Sequence, residues 1–135
     1  MELPPLSLYV HLPWCVRKCP YCDFNSHAVK GDIPADEYAR SLLKDLQQDL
    51  PLVWGRAVHS VFFGGGTPSL FSAERIQGLM KGFRSLLRLS PDAEVTLEAN
   101  PGTIEHDSFS AYRDAGINRV SLGVQSFSND SLERI

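Results

Sequence analysis

Hydrophobic positions along the chain alternate between two patterns, short apolar runs typical of β-strands and longer stretches with helical spacing. The first apolar run, at residues 8–12, leads directly into Pro13, so we expect a strand that ends there. A helix is predicted from about Asp36, with Pro51 near its end. Its apolar stripe consists of Tyr38, Leu42, Leu43, Leu46 and Leu50.

The second unit repeats this order of strand, loop and helix. A strand is predicted at residues 58–63, and the segment 64–68 that follows begins with three consecutive glycines. Ser72 is the type of residue expected at a helix N-cap. Apolar residues at helical spacing usually belong to the core, so we assign the next stripe no role in cofactor binding. That stripe consists of Ile76, Leu79, Met80, Phe83 and Leu87.

Two further units complete the pattern. The third has a predicted strand at 94–99 and a helix at about 104–115, with Gly116 as its C-terminal cap. The fourth has a strand at 119–124 and a helix that begins near Asn129. Strands that alternate with helices are expected to be parallel, with right-handed crossovers. About four such units fit an α/β fold, either part of a parallel barrel or an open doubly wound sheet.

Composition and charge narrow the class of protein. The 135 residues are 43% hydrophobic, as expected for one domain with a buried core. The net charge of -3 argues against a surface built to bind nucleic acid or an anionic membrane. No apolar run approaches the roughly 20 residues that cross a bilayer, and the first residues do not resemble a signal peptide. We therefore expect a cytoplasmic protein. The last predicted helix begins only a few residues before the end of the sequence, so we also expect this chain to be part of a longer protein.

The three cysteines point to metal chemistry. Cys15, Cys19 and Cys22 fall within eight residues, and an odd number cannot pair completely into disulfides. Iron-sulfur clusters are commonly held by four cysteines, so three would leave one iron open to an exchangeable ligand. The amino and carboxylate groups of a methionine moiety are suitable donors for that iron. Electron transfer into the sulfonium of such a ligand would break a carbon–sulfur bond.

The alternative is a structural zinc site, in which His11 or His27 supplies the fourth ligand. The protein would then be a zinc-stabilised binding module. Structural zinc sites usually show paired C-x-x-C spacings, and only Cys19 and Cys22 fit that spacing.

Three further loops carry candidate binding residues at the ends of strands. The glycines of segment 64–68 would let a ligand approach the backbone directly. Glu98 closes the third strand, and its carboxylate could accept hydrogen bonds from ribose hydroxyls. Gln125 follows the fourth strand and offers an amide donor and acceptor. Because ligands of parallel α/β folds bind at the carboxyl ends of the strands, one ligand could contact all four loops.

The ordered set of motifs resembles that of a known superfamily. The segments are Cys15-x-x-x-Cys19-x-Tyr21-Cys22, Gly64-Gly65-Gly66-Thr67-Pro68, Glu98-Ala99-Asn100-Pro101 and Leu122-Gly123-Val124-Gln125-Ser126-Phe127. Together they resemble the radical S-adenosylmethionine (radical SAM) superfamily, and the likeness runs from Leu8 to Ile135. More closely, the chain is similar to the oxygen-independent coproporphyrinogen III oxidase group, and within it to the HemW-type heme chaperones.

This resemblance implies cofactors and the residues that contact them. The three cysteines would bind a 4Fe-4S cluster, and S-adenosyl-L-methionine (SAM) would occupy the remaining iron. The implied SAM contacts are Tyr9 beside the cofactor, Tyr21 against the adenine, Gly65, Gly66 and Thr67 facing the methionine part, and Glu98 and Gln125 nearer the ribose.

One departure separates the subfamilies. The oxidases resemble C-x-x-x-C-x-x-C-x-C, whereas Phe24 stands at the position of their additional cysteine. The resemblance therefore favours the HemW type, with radical decarboxylation of coproporphyrinogen as the alternative. It implies heme as a further ligand of the whole protein, and a heme-acceptor protein and an electron donor as partners. It also implies that residues 1–135 are the N-terminal part of a barrel domain, with the remainder and a C-terminal domain outside this chain.

Overall fold

The main elements of the fold are parallel strands that alternate with helices. The structure is a computed structural model, which describes residues 3–101 and 107–135. In chain order its elements are β1 (Leu6–Leu12), β2 (Trp14–Cys15), β3 (His27–Ala28), α1 (Ala35–Val53), β4 (Ala57–Gly65), a 3-10 helix (Pro68–Leu70), α2 (Ala73–Leu86), β5 (Arg88–Ala99), α3 (Phe109–Asp114), β6 (Arg119–Leu122) and α4 (Asn129–Leu132).

Strand order distinguishes between the two α/β architectures that the sequence left open. The main sheet has the order β1-β4-β5-β6, and each neighbouring pair is parallel. Strands that are neighbours in the sheet therefore follow one another along the chain among these four elements. A doubly wound sheet reverses its strand order at a switch point, whereas a parallel barrel adds each strand on the same side. The observed order is that of a partial barrel, and the predicted α/β fold is confirmed.

The core lies between the outer face of this sheet and the helices. Side chains alternate between the two faces of a strand, so every second residue points toward the helices. Helix α2 contributes four fully buried side chains, Ile76, Leu79, Met80 and Phe83, as its predicted stripe requires. The strand residues that pack against them include Val10, Leu12, Val61, Phe63, Val95 and Leu97. The opposite face of the sheet carries Tyr9, Phe62 and Thr96 in register with one another.

The predicted N-cap of α2 is confirmed. The Ser72 hydroxyl accepts a hydrogen bond from the Arg75 backbone N–H at 3.2 Å, which satisfies one of the free amides of the first turn. Leu87 differs from the prediction, because it is the C-cap residue, follows the helix and is only half-buried. Its extended backbone begins the return of the chain to β5.

The end of α3 also agrees with the sequence. Residues 104–106 of the predicted helix lie outside the described residues, and the described helix begins at Phe109 after an N-cap at Ser108. Gly116 follows the cap residue Ala115 and has a φ of 109°. Its N–H donates to Arg113 O, and the next N–H, of Ile117, donates to Tyr112 O, both at 3.0 Å. This is a Schellman termination, in which glycine tolerates the left-handed backbone.

Several boundaries differ from the predicted ones. Strand β6 ends at Leu122 rather than at residue 124, because the chain turns there and Gln125 has a left-handed φ of 64°. Pro51 lies near the end of α1, as predicted, and the helix continues for two residues beyond it. The short parallel pair β2–β3 was not anticipated from the sequence, since two-residue strands have no periodicity to detect.

Candidate cofactor site

A cavity of about 870 Å³ opens at the carboxyl ends of the four main strands. Loops that follow each of these strands contribute to its walls, as expected for a ligand site in a parallel α/β fold. All the residues predicted to bind the cluster or SAM line it except Tyr9. They are Cys15, Cys19, Tyr21, Cys22, Gly65, Gly66, Thr67, Glu98 and Gln125.

The segment between β1 and β3 folds back on itself and brings the cysteines to the cavity. Cys15 lies in β2, where its carbonyl accepts a hydrogen bond from Val29 N–H at 2.8 Å. Cys22 N–H donates to Cys19 O at 3.0 Å and closes a tight turn between the other two cysteines. All three are free thiols, Cys15 buried and the others half-buried. The donor set and its position therefore fit a cluster that is enclosed by the loop and open toward the cavity.

The histidines of the zinc alternative have other partners. His11 Nε2 lies 2.7 Å from Asn25 O, a carbonyl that can only accept, so this nitrogen carries the proton. His11 Nδ1 then accepts a hydrogen bond from the Tyr9 hydroxyl at 2.9 Å, so both ring nitrogens are engaged. His27 Nε2 contacts Asn25 Oδ1 at 3.1 Å. Within residues 3–101 and 107–135, no three His, Cys, Asp or Glu side chains are grouped closely enough to hold one metal ion, and this includes the three cysteines.

The glycine loop is built against the cysteine segment. Gly66 N–H donates to Leu12 O at 2.9 Å, and Thr67 N–H donates to Trp14 O at 2.6 Å. A β-carbon on Gly66 would lie 2.5 Å from Trp14 O and 2.9 Å from Cys15 Sγ. Both distances are too short for any residue with a side chain at this position. Gly65 has a φ of 120°, a conformation reserved for glycine. These glycines allow the loop that follows β4 to pack directly against Trp14 and Cys15.

Glu98, in strand β5, forms a hydrogen bond with the glycine loop that follows β4. Its Oε2 atom accepts a hydrogen bond from Gly65 N–H at 3.3 Å, and the side chain lines the cavity. Burial raises the pKa of the Glu98 carboxyl above its ordinary value, and the Gly65 hydrogen bond opposes that shift. A carboxylate at the cavity wall is suited to accept hydrogen bonds from ligand hydroxyls.

Tyr9 stands apart from the other predicted cofactor residues. It lies on the open face of β1, where its ring stacks on Phe62 with centroids 6.3 Å apart. Desolvation and the nearby Glu98 carboxylate raise the pKa of its phenol. Its hydroxyl is directed to His11 and the side chain does not line the cavity, so its predicted contact with SAM stays a prediction.

Asn100 is a wall residue that the sequence did not single out as a ligand. Its Nδ2 donates to Thr67 Oγ1 at 3.4 Å, and a β-carbon on Gly123 would lie 3.0 Å from its Oδ1. Asn100 therefore sits between the loops that follow β4 and β6, next to Gln125 at the cavity. The signal was present in the sequence, because Asn100 is the first residue after β5.

Comparison with known proteins identifies the superfamily. Residues 9–135 match the family model described as Radical SAM superfamily, which covers nearly the whole chain. The chain belongs to the radical SAM superfamily. The predicted resemblance is thereby confirmed, and the α/β sheet described above is part of a radical SAM barrel.

Individual relatives agree with the closer resemblance to HemW-type heme chaperones. The chain is 58% identical to heme chaperone HemW of Escherichia coli (strain K12), a match that covers 100% of this chain and 36% of that protein. It is 56% identical to heme chaperone HemW of Haemophilus influenzae, over 99% of this chain and 36% of the relative. The chain thus spans about a third of the length of these radical SAM relatives.

A solved structure of a radical SAM enzyme has the same fold over the part that this chain covers. Coproporphyrinogen III oxidase (HemN) from Escherichia coli superposes with a TM-score of 0.83 at 36% sequence identity. The match covers 97% of this chain and 31% of that structure. Within the part of the chain that the structure describes, no helix has the length and apolar character needed to cross a membrane.

Proposed function

We propose that this chain forms the cluster-binding part of a HemW-type heme chaperone, with Cys15, Cys19 and Cys22 holding a 4Fe-4S cluster and SAM at its open iron. The observation that carries the proposal is that one cavity is lined by all three cysteines and by the glycine loop, Glu98 and Gln125. When bound, the cluster supplies the electron that breaks a carbon–sulfur bond of the SAM sulfonium.

The cavity residues would share the work of binding SAM. The N–H groups of Gly65, Gly66 and Thr67 already donate within the protein, so these residues would offer carbonyl oxygens to the methionine part. The Tyr21 ring would pack against the adenine. Glu98 accepts hydrogen bonds from the ribose, and Gln125 offers both a donor and an acceptor beside it. Tyr9 lies on the adjoining sheet face and contacts the ligand only if its side chain turns away from His11.

Heme binding is proposed from the likeness to the HemW relatives and from Phe24. At 58% identity to one such relative, the chain shares most of its residues with a protein whose name specifies heme. Phe24 lies exposed at the cavity, where the oxidase-type motif would have a further cysteine. We propose that residues 1–135 are the N-terminal part of a longer, cytoplasmic protein. That protein would take an electron from a donor and pass heme to an acceptor protein.

Anaerobic reconstitution with iron and sulfide tests the cluster assignment. We expect the 135-residue chain, or the longer protein of which we propose it to be part, to gain about four irons and a visible charge-transfer absorption. Cys19→Ala should abolish this absorption, whereas Ser85→Ala, on the exposed side of α2, should retain it. A Cys19→Ala variant with full iron content would contradict the ligand assignment. Zinc without iron after anaerobic purification would favour the binding module instead.

A second candidate function is oxidative decarboxylation of coproporphyrinogen. The observation in its favour is the TM-score of 0.83 to the solved coproporphyrinogen III oxidase. Phe24 weighs against it, because the oxidase-type motif has a cysteine there. Incubation of the longer, reconstituted protein with coproporphyrinogen, SAM and a reductant decides between the two functions. We expect heme binding without formation of protoporphyrinogen, and turnover would establish the oxidase.

A further inference from the structure

A buried hydroxyl lies behind the third cysteine. Ser26 is 1% exposed, and its Oγ atom lies 3.6 Å from Cys22 Sγ, within hydrogen-bond distance for the larger sulfur atom. In the free thiol either atom could be the donor. A cysteine that ligates iron is a thiolate without a proton, so in the cluster-bound protein only the Ser26 hydroxyl can donate.

The nearest competing acceptor is already occupied. Phe24 O lies 3.5 Å from Ser26 Oγ, at the limit of a hydrogen bond. That carbonyl accepts from Ser26 N–H at 2.7 Å and from Lys18 Nζ at 3.2 Å. A carbonyl oxygen has two lone pairs, and these two shorter contacts use both. The sulfur of Cys22 is therefore the acceptor left for the Ser26 hydroxyl.

Lys18 holds the backbone that carries the hydroxyl. Its ammonium group donates to Ser26 O at 3.2 Å in addition to Phe24 O, and so ties both carbonyls to the cysteine loop. On the other side, His27 N–H donates to Pro13 O at 2.7 Å and anchors the start of β3. The backbone of Ser26 is therefore held on both sides, and its side chain is enclosed within the cysteine segment.

We propose that Ser26 is a positioning residue that donates a hydrogen bond to the Cys22 thiolate and raises the reduction potential of the cluster. The inference rests on the proposed function, since it requires Cys22 to ligate iron. Hydrogen bonds to the sulfurs are among the factors that set cluster potentials. Reduction adds negative charge to the cluster and its sulfurs, so a fixed donor stabilises the reduced state more than the oxidised one.

Potentiometry on the reconstituted protein, with the reduced cluster followed by electron paramagnetic resonance (EPR), tests this role. We expect Ser26→Ala to keep its iron content and to shift the midpoint potential to a more negative value. Ser26→Thr retains a hydroxyl and should restore most of the wild-type potential. Ser69→Ala is the matched control. Among the described side chains, the Ser69 hydroxyl is also fully buried but has no hydrogen-bond partner, so the wild-type potential is expected.

The outcomes separate this inference from the proposed function. A wild-type potential in a Ser26→Ala variant that retains its cluster would overturn the role of Ser26 and leave the cluster assignment standing. Absence of any cluster in the wild-type protein would overturn both. Should Ser26→Ala fail to hold a cluster, electron–nuclear double resonance on the wild type, unfolded and reconstituted once in H2O and once in D2O, decides. A cluster-coupled proton that exchanges supports the hydrogen bond, and its absence contradicts it.

Discussion

At the scale of single residues, the site depends on one glycine that touches the cysteine segment. A β-carbon at Gly66 would lie 2.5 Å from Trp14 O, and this carbonyl cannot move without breaking its hydrogen bond from Thr67 N–H. Crowding at this position therefore displaces the cysteine loop. At Gly78 the same substitution meets no neighbouring atom, which allows a matched comparison.

We expect Gly66→Ala to lose most of its cluster, measured as iron bound per chain after reconstitution. Gly78→Ala is the control, because a β-carbon there meets nothing within 4 Å and Gly78 lies in helix α2. Alanine in a helix interior is favoured over glycine by up to about 1 kcal/mol, so this variant should be at least as stable as wild type. Equal iron content in the two variants would contradict the packing argument.

Glu98 gives a pH dependence whose sign follows from its burial. Its pKa in the folded protein lies above the ordinary value of 4.5, so the folded state holds this proton more tightly than the unfolded state does. The contribution of Glu98 to stability therefore falls as pH rises through 4.5 toward the folded pKa. The amide side chain of a Glu98→Gln variant cannot ionise, so this variant does not lose stability at position 98 as the pH rises.

Thermal melting of wild type and Glu98→Gln at pH 4 and pH 7 checks this sign. We expect the variant to gain stability relative to wild type as the pH is raised, because only the wild type must then bury a carboxylate. A relative gain for wild type at the higher pH would mean that the hydrogen bond from Gly65 outweighs burial.

At the scale of secondary-structure elements, the sequence predicted what is periodic or locally capped. The stripe of α2, the Ser72 cap and the glycine after α3 were all predictable, because each depends on residues close in the chain. The β2–β3 pair was not, since it is fixed by hydrogen bonds such as His27 N–H to Pro13 O across the cysteine loop. The position of Asn100 directly after β5 was visible in the sequence, but its contact with Thr67, which is distant in the chain, was not.

The N-cap serines of α2 and α4 allow a test of how much a capping hydrogen bond stabilises a helix. Ser72→Ala removes the hydrogen bond to Arg75 N–H and should lower the free energy of unfolding by about 1 kcal/mol. Ser128→Ala is the matched control, since Ser128 is the N-cap residue of α4 but makes no side-chain capping hydrogen bond. Chemical denaturation of both variants measures the difference. An equal loss in the two would mean that the Ser72 contact does not stabilise α2.

At the scale of the whole molecule, the parallel sheet turns scattered motifs into one site. The ends of β1 and β4 are in register, Leu12 beside Gly65, and those of β5 and β6 are in register, Ala99 beside Leu122. Each following loop therefore opens on the same cavity, although the cysteines and Gln125 are about a hundred residues apart in the sequence. Sequence motifs alone suggested this convergence, and strand order and register account for it.

The most direct test of the central claim is the response of the reduced cluster to SAM, measured by EPR on the reconstituted protein. If the three cysteines leave one iron open to the cavity, addition of SAM should shift the g values of the reduced cluster. Glu98→Gln should need more SAM for the same shift, because it weakens binding without touching the cluster. A signal that is unchanged at saturating SAM would contradict an open iron at this cavity.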